Sequence, residues 1–469
     1  MNWSPVLRCG RSALAIALVC SAAHAQTNET PSMTLEQALA YAADHHPRLL
    51  VDVAEVKARK AAAEVPGKRW LPQVGVTAQA IGGTNNNSAS LWLGSRGAVE
   101  LPRIAGTAFL QRPGQIDWRP YMNTAIAAGF EQELFDFGRI AAERAVADAR
   151  ASSAKAGERA DRLDVVLGVR EAFCAVQAAH QVLAAADQVV QRATVHRDAI
   201  CALGREGLRP QADCARGQAD LARYQAARSR SEGSLDSARV TFAAAMGHER
   251  DKVDVRGDAP QVDTSVPSFS EAVAGAEARE PRMQVAEADA HASKSEVERS
   301  SAALRPQIYG VGTVMGSAGG APVTQGAHGT YGDGVVPFVP NYYAGVVMSW
   351  QMINAPGRAE RATREAEAAT SNERIHEVRE QTKTAAAQAW VAAESTMRTL
   401  PELQNALSAA EISYAQVDGR YKEGLATVIE LTDVESLRVD AQINLAIGQF
   451  EAARARAQLD RALAKENRP

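Results

Sequence analysis

The sequence predicts a mainly α fold with a minority of short β-strands, built from one helix–strand–strand–helix unit used twice. Three observations predict it. Of 469 residues only 5% are aromatic, and the long stretches between Gly-rich segments are heavy in Ala, Glu and Arg, a composition that suits long helices packed through small side chains. Landmarks recur at a fixed separation: Pro47-Arg48 with Pro281-Arg282, and Leu71-Pro72-Gln73 with Arg305-Pro306-Gln307, both 234 positions apart, which marks an internal repeat. Finally, one turn occurs twice between helical runs, at Gly207-Leu208 and Gly424-Leu425, 217 positions apart.

Residues 1–25 read as a secretory signal peptide. Arg8 and Arg11 precede the apolar run Ser-Ala-Leu-Ala-Ile-Ala-Leu-Val-Cys, and Ala23-His24-Ala25 offers a small-residue cleavage site before Gln26. The run is too short to remain as a spanning helix. Acylation of Cys20 is the alternative, disfavoured by Val19 because a small residue normally precedes a lipidated Cys. The two units then occupy residues 26–266 and 267–469. They open alike, with Met33-Thr-Leu-Glu-Gln-Ala-Leu-Ala and Ser268-Phe-Ser-Glu-Ala-Val-Ala, polar residues ahead of apolar-periodic helices.

After each Pro-Gln the pattern changes to alternation, Val74-Gly-Val-Thr-Ala-Gln-Ala-Ile in the first unit and Ile308-Tyr-Gly-Val-Gly-Thr-Val-Met in the second. Strands are expected at about 73–81 and 123–135, and again at about 307–316 and 342–353. Long Gly-, Asn- and Ser-containing loops separate the members of each pair. Four antiparallel strands cannot close a membrane barrel, which needs at least about eight. If these strands span a bilayer, several chains share one barrel. No later segment offers the run of about 18 apolar residues that a membrane helix needs.

A long helix is expected over 139–203, about 100 Å at 1.5 Å per residue, with Val166, Val169, Phe173, Val176, His180 and Leu183 spaced alternately three and four. Its counterpart over 358–420 contains Pro401, where a kink or break is expected. In the last helix Ala441, Leu445, Gly448, Ala452, Ala455, Leu459 and Ala462 keep the same alternation, the coiled-coil spacing with small residues that permit close contact.

After the second turn, Glu430 and Asp433 lie three residues apart, hence on one helical face. Asp213 falls where Glu430 does in the first copy. Taken alone, such a pair is either a solvated helix face or an electrostatic element. Cys201 and Cys214 flank the first turn; a disulfide across the hairpin is one reading, and two buried thiols in a helix pair is the expected one. A net charge of −4, with a pI of about 6.2 and no basic stripe, argues against a nucleic-acid partner. Gly310-Val-Gly312-Thr-Val-Met-Gly316 lies in a strand with no helix after it, so it is not a phosphate loop. His45-His46 lacks further ligands, and no nucleophile–base or acid–base pair appears, so neither a metal, a cofactor nor catalysis is expected.

The order and spacing of these features resemble the TolC family of outer-membrane efflux and secretion factors. The resemblance rests on the duplicated unit, Leu71-Pro72-Gln73 ahead of the strand, Asp136-Phe137-Gly138-Arg139 after it, and Tyr421-Lys-Glu-Gly-Leu-Ala-Thr before the last helix. It implies a homotrimer in the outer membrane of a Gram-negative bacterium. Twelve strands would form one β-barrel in outer-membrane lipid, continued into the periplasm by a long α-helical barrel. The implied function is a passive exit duct of a tripartite efflux pump or type I secretion system. Gly207, Leu208, Gly424, Leu425 and Thr427 match the tip positions that dock a periplasmic adaptor (membrane fusion) protein, itself joined to an inner-membrane pump. Glu430, Asp433, Asp213 and Tyr421 match the periplasmic gate. Relatives carry a locking Arg where this chain has Ala426, which predicts a weaker closed state; Arg209 holds that place in the first copy. The alternative is a soluble periplasmic coiled-coil adaptor or scaffold, which would not need strand hairpins.

Overall fold

In a computed structural model the described residues are 30–83, 121–249, 251–257, 265–319 and 339–465; the expected signal segment and both long strand-to-strand loops lie almost wholly outside them. Each half opens on a capping box. The Thr34 hydroxyl accepts from the Gln37 amide and leads into α1 (Leu35–His45), while Ser268 and Glu271 do the same for α5 (Phe269–Arg279). Pro47 and Pro281 sit in the first turn of α2 (Pro47–Lys68) and α6 (Pro281–Ala302), where a missing N–H costs nothing. Two short strands, β1 (Ser32–Met33) and β4 (Asp254–Val255), pair in parallel. The Asp254 carboxylate accepts from Arg239 Nη2 at 2.5 Å and lies 2.7 Å from His180 Nε2. Burial alone would raise the Asp254 pKa, but these bonds and the Val255 amide outweigh it and hold the carboxyl below its ordinary range.

The main sheet has the order β2 (Gln73–Gly83), β3 (Tyr121–Phe135), β5 (Gln307–Gly319), β6 (Val339–Ser349), with every neighbour antiparallel. Strands of 11, 15, 13 and 11 residues equal or exceed the roughly 9–11 that cross a bilayer when tilted. Side chains alternate faces along a strand and paired residues share one. The register therefore puts Val76, Ala128, Val314 and Tyr342 in one row, with Val74, Phe130, Gly312 and Ala344 beside it. The opposite face carries Thr77, Ala127, Met315 and Asn341. On the apolar face Val76 is 66% exposed, Val314 63% and Tyr342 84%, far too much oily surface to leave in water. The other face is small and mixed in polarity, and β2 and β6 are open edges.

From the sheet the chain turns back through Asp136. Its buried carboxylate accepts from the Gly138 amide at 3.0 Å and the Ile140 amide at 2.5 Å, which satisfies the start of α3 (Arg139–Arg205). Helix α3 pairs with α4 (Gln211–Met246), and α7 (Ala355–Lys422) pairs with α8 (Val428–Ala462). The expected break at Pro401 does not occur: α7 is one helix of 68 residues. A single lost hydrogen bond is small beside the bonds on either side and the packing on α8. Two residues later Leu403 lies against Gly448, where a Cβ would overlap its side chain.

Two cores lie in the helices, one per repeat. The first gathers Val169, Phe173, Val176, Phe242, Met246, Ala38 and Ala42, with the Phe173 and Phe242 rings edge-on at 5.7 Å. The second holds their counterparts Ala386, Ala393, Leu459, Leu463, Ala272 and Ala276, all smaller or equal. Trp390, in the place of Phe173, is only partly buried and donates its indole N–H to the Pro267 carbonyl at 2.8 Å. Between the halves, partly buried Arg461 bridges Asp164 at 2.6 Å and Glu280 at 2.8 Å, and Arg282 joins the same Asp164.

Candidate functional site

The residues singled out in the sequence converge at the end of the helices farthest from the sheet, where two hairpin turns lie side by side. Both turns have the same backbone. In the first, the Leu208 amide donates to the Leu203 carbonyl at 2.9 Å; in the second, Leu425 donates to Arg420 at 2.8 Å. Each amide reaches five residues back, the helix-ending Schellman bond, and it requires a left-handed residue just before. Gly207 and Gly424 supply it, with φ of 70° and 78°. The next side chain is thereby thrown outward, so Leu208 is 72% and Leu425 66% exposed.

Beyond the turns the two tips differ. Thr427 caps α8: its hydroxyl accepts from the Glu430 amide at 3.2 Å, and the Glu430 carboxylate accepts from the Thr427 hydroxyl at 3.0 Å and the Thr427 amide at 3.4 Å. Glu430 is thus held at the helix start while remaining exposed, and Asp433 is exposed three residues on. In the first tip, Pro210 stands at the cap and offers no side-chain bond. Asp213 instead faces Arg209 at 3.8 Å.

What closes the first tip is a disulfide. Cys201 and Cys214 are bonded, with Cα atoms 4.7 Å apart, which corrects the expectation of two buried thiols. The reason is geometric: α3 and α4 run antiparallel from a tight turn, so positions about equally far from it face each other at bonding distance. Cys174 is free and buried, and burial pushes its thiol up to about 11.

Tyr421 is half-buried and its ring centroid lies 6.1 Å from that of His196 on α3. Among the described residues no hydrogen bond joins it to Asp213. A cavity of about 290 Å³ opens between α3, α4 and α8, lined by His196, Arg209, Asp213, Asp220, Thr427 and Glu435. Burial lowers the His196 pKa, with Arg209 acting in the same direction and Asp220 against it. Burial raises that of Glu435, against the pull of Arg192. Sequence reading missed His196, Arg192 and Glu435, because the partners each one meets lie on helices distant in sequence. No group of three or more His, Cys, Asp or Glu is placed to hold a metal among the described residues.

Residues 38–248 match the family "Outer membrane efflux protein". That stretch is 211 of the chain's 469 residues. Solved structures of the same fold agree along nearly the chain's whole length. The Campylobacter jejuni CmeC outer membrane channel is 11% identical, with a TM-score of 0.74 over 98% of this chain and 94% of that one. The outer-membrane channel OprN is 20% identical, with a TM-score of 0.72 over 92% and 89%. VceC, an outer membrane protein of Vibrio cholerae, is 15% identical, with a TM-score of 0.70 over 92% and 96%. No curated protein matches in sequence. These likenesses support a place in the outer membrane with an extension into the periplasm. They likewise support an exit duct for efflux, and the alternative of a soluble periplasmic adaptor or scaffold is not favoured.

Proposed function

We propose that three copies of this chain share one twelve-stranded barrel and form a passive duct, without catalytic activity, gated at the tip where the hairpin turns lie. The observation that carries the trimeric reading is the main sheet. One face is apolar and exposed, the other small and mixed, and both edges are open. An exposed edge in a bilayer leaves backbone groups unpaired at several kcal/mol each. Closure by further copies of β2 and β6 removes every edge, and four strands per chain reach the minimum for a membrane barrel only in multiples.

At the other end, three-fold repetition turns Glu430 and Asp433 into two stacked rings of carboxylates. Rings of acids in a narrow pore favour cations and repel one another. Leu208 and Leu425, each thrown into solvent beside a left-handed glycine, would form with Gly207, Gly424 and Thr427 a surface for a periplasmic adaptor protein. Through that adaptor an inner-membrane pump would supply the energy. Asp213 and Tyr421 stand beside the gate, on the two hairpins that must separate to widen it.

The test is conductance in planar lipid bilayers. The purified protein should show a small, cation-preferring conductance, and Glu430→Ala with Asp433→Ala should raise it and weaken the preference. A double variant indistinguishable from the wild type in both respects would remove the gate assignment. Photo-crosslinking groups at Leu208 and Leu425 should capture the adaptor, whereas groups at the buried Phe242 should not.

A further inference from the structure

The first tip is fastened by a covalent bond between α3 and α4, yet nothing covalent ties the second hairpin to the first. One polar layer does join them. Tyr414 on α7 lies between two guanidinium groups, with Arg438 of α8 at 4.3 Å from its ring centroid and Arg192 of α3 at 5.5 Å. Arg192 also faces Glu435 of α8 at 3.6 Å. Three helices thus meet through four side chains, some 15–20 Å above the turns at 1.5 Å per residue.

The layer is poorly suited to stability alone. Arg438 is only 8% exposed, and its Nε and Nη2 have no hydrogen-bond partner among the described residues. A buried guanidinium lacking bonds is costly, and an apolar side chain of similar size would hold the helices better. The other repeat makes that choice: the positions equivalent to Arg438, Glu435, Tyr414 and Arg192 are Leu221, Gln218, Arg197 and Ala409. Leu221 is buried, and no such stack can form there. The layer occurs once per chain, where the second hairpin leans on α3.

We propose that Arg192, Tyr414, Glu435 and Arg438 are a latch that holds the α7–α8 hairpin against α3 in the closed tip, a reading that rests on the channel function above. One cation–π contact, Arg192 to Tyr414, and one ion pair, Arg192 to Glu435, cross from α3 to the hairpin and supply the attraction. The Arg438–Tyr414 contact lies within the hairpin and sets the ring for Arg192, while the desolvation of Glu435 opposes the attraction. Swinging the hairpin away returns Arg192 and Glu435 to water. The energy gap between closed and open is therefore small, as a partner-driven gate requires. The four residues are positioning residues; they do not line the acid rings.

Bilayer recordings of the full-length protein test this. Tyr414→Ala should raise the resting conductance roughly two- to fivefold, the effect of losing one partly desolvated cation–π contact to α3. Tyr414→Phe keeps the ring and should stay near wild type. Arg438→Leu leaves both contacts to α3 in place and should keep the channel as closed as wild type, a result that simple loosening of a structural layer would not give. Arg192→Glu should raise conductance, and adding Glu435→Arg should bring it back down. The latch is overturned if Tyr414→Ala assembles normally and conducts as wild type. It is equally overturned if the charge-swapped pair stays as open as Arg192→Glu, a comparison that stands even if Tyr414→Ala fails to assemble. A wild-type protein that never conducts would instead sink the channel reading itself.

Discussion

The two halves of this chain share a backbone plan and fasten it differently. In the first, the core is filled by Phe242, Met246, Val169 and Val176, and the hairpin end is closed by the Cys201–Cys214 bond. In the second, the same places hold Leu459, Leu463, Ala386 and Ala393, and the hairpin end relies on the Thr427–Glu430 capping box and the Tyr414 stack. Bulk and a covalent bond make a fixed post; small residues and reversible contacts make an arm. The difference teaches that two copies of one backbone plan can be fastened by different means, one covalent and one reversible.

The comparison can be broken in three places. The largest effect is expected in the cores. Phe242→Ala should cost about 3–5 kcal/mol and Leu459→Ala about 2–4, since the second site loses less buried volume. Hydrogen exchange of α4 and α8 amides measures each locally, and equal losses would erase the distinction between post and arm. Next, replacing Cys201 and Cys214 by Ser should cost the first tip on the order of 3 kcal/mol, as expected for a loop of this length. Limited proteolysis should then cut near Gly207 as readily as near Gly424, whereas in the wild type the Gly424 turn is the more sensitive. The smallest effect belongs to Thr427→Ala, which removes a cap worth about 1 kcal/mol. It should speed exchange in the first turn of α8 and leave α4 untouched; spread of the change into α4 would mean that the two tips are coupled.

Much of this plan was legible because it is written in residues with strong local rules. Prolines that favour a first helical turn, glycines that a left-handed turn demands, and an alternation of period two laid out the repeat, the turns and the strands before any contact was known. The structure extends some strands beyond their recognisable patterns: β6 begins at Val339 and β5 reaches Gly319, because ladder bonds to a neighbour carry a strand past its own alternation. Pro401 brings no break for the converse reason, since the helix is packed along its length on either side of it. The disulfide could not be read from spacing, which is the same for two thiols and for a bond. The Tyr414 stack was out of reach because Arg192 and Arg438 stand 246 residues apart, and nothing local marks either as the other's neighbour.

The open edges of β2 and β6 carry a consequence for biogenesis. A lone subunit bears an oily sheet with unpaired rims, so it is stable neither in water, where that face and its edges invite aggregation, nor in lipid, where the rims stay unsatisfied. Insertion and association are then one thermodynamic event, and the apparent stability of the membrane end rises with subunit concentration by mass action. The periplasmic helices, each half with a core of its own, are under no such constraint and can fold before the barrel exists.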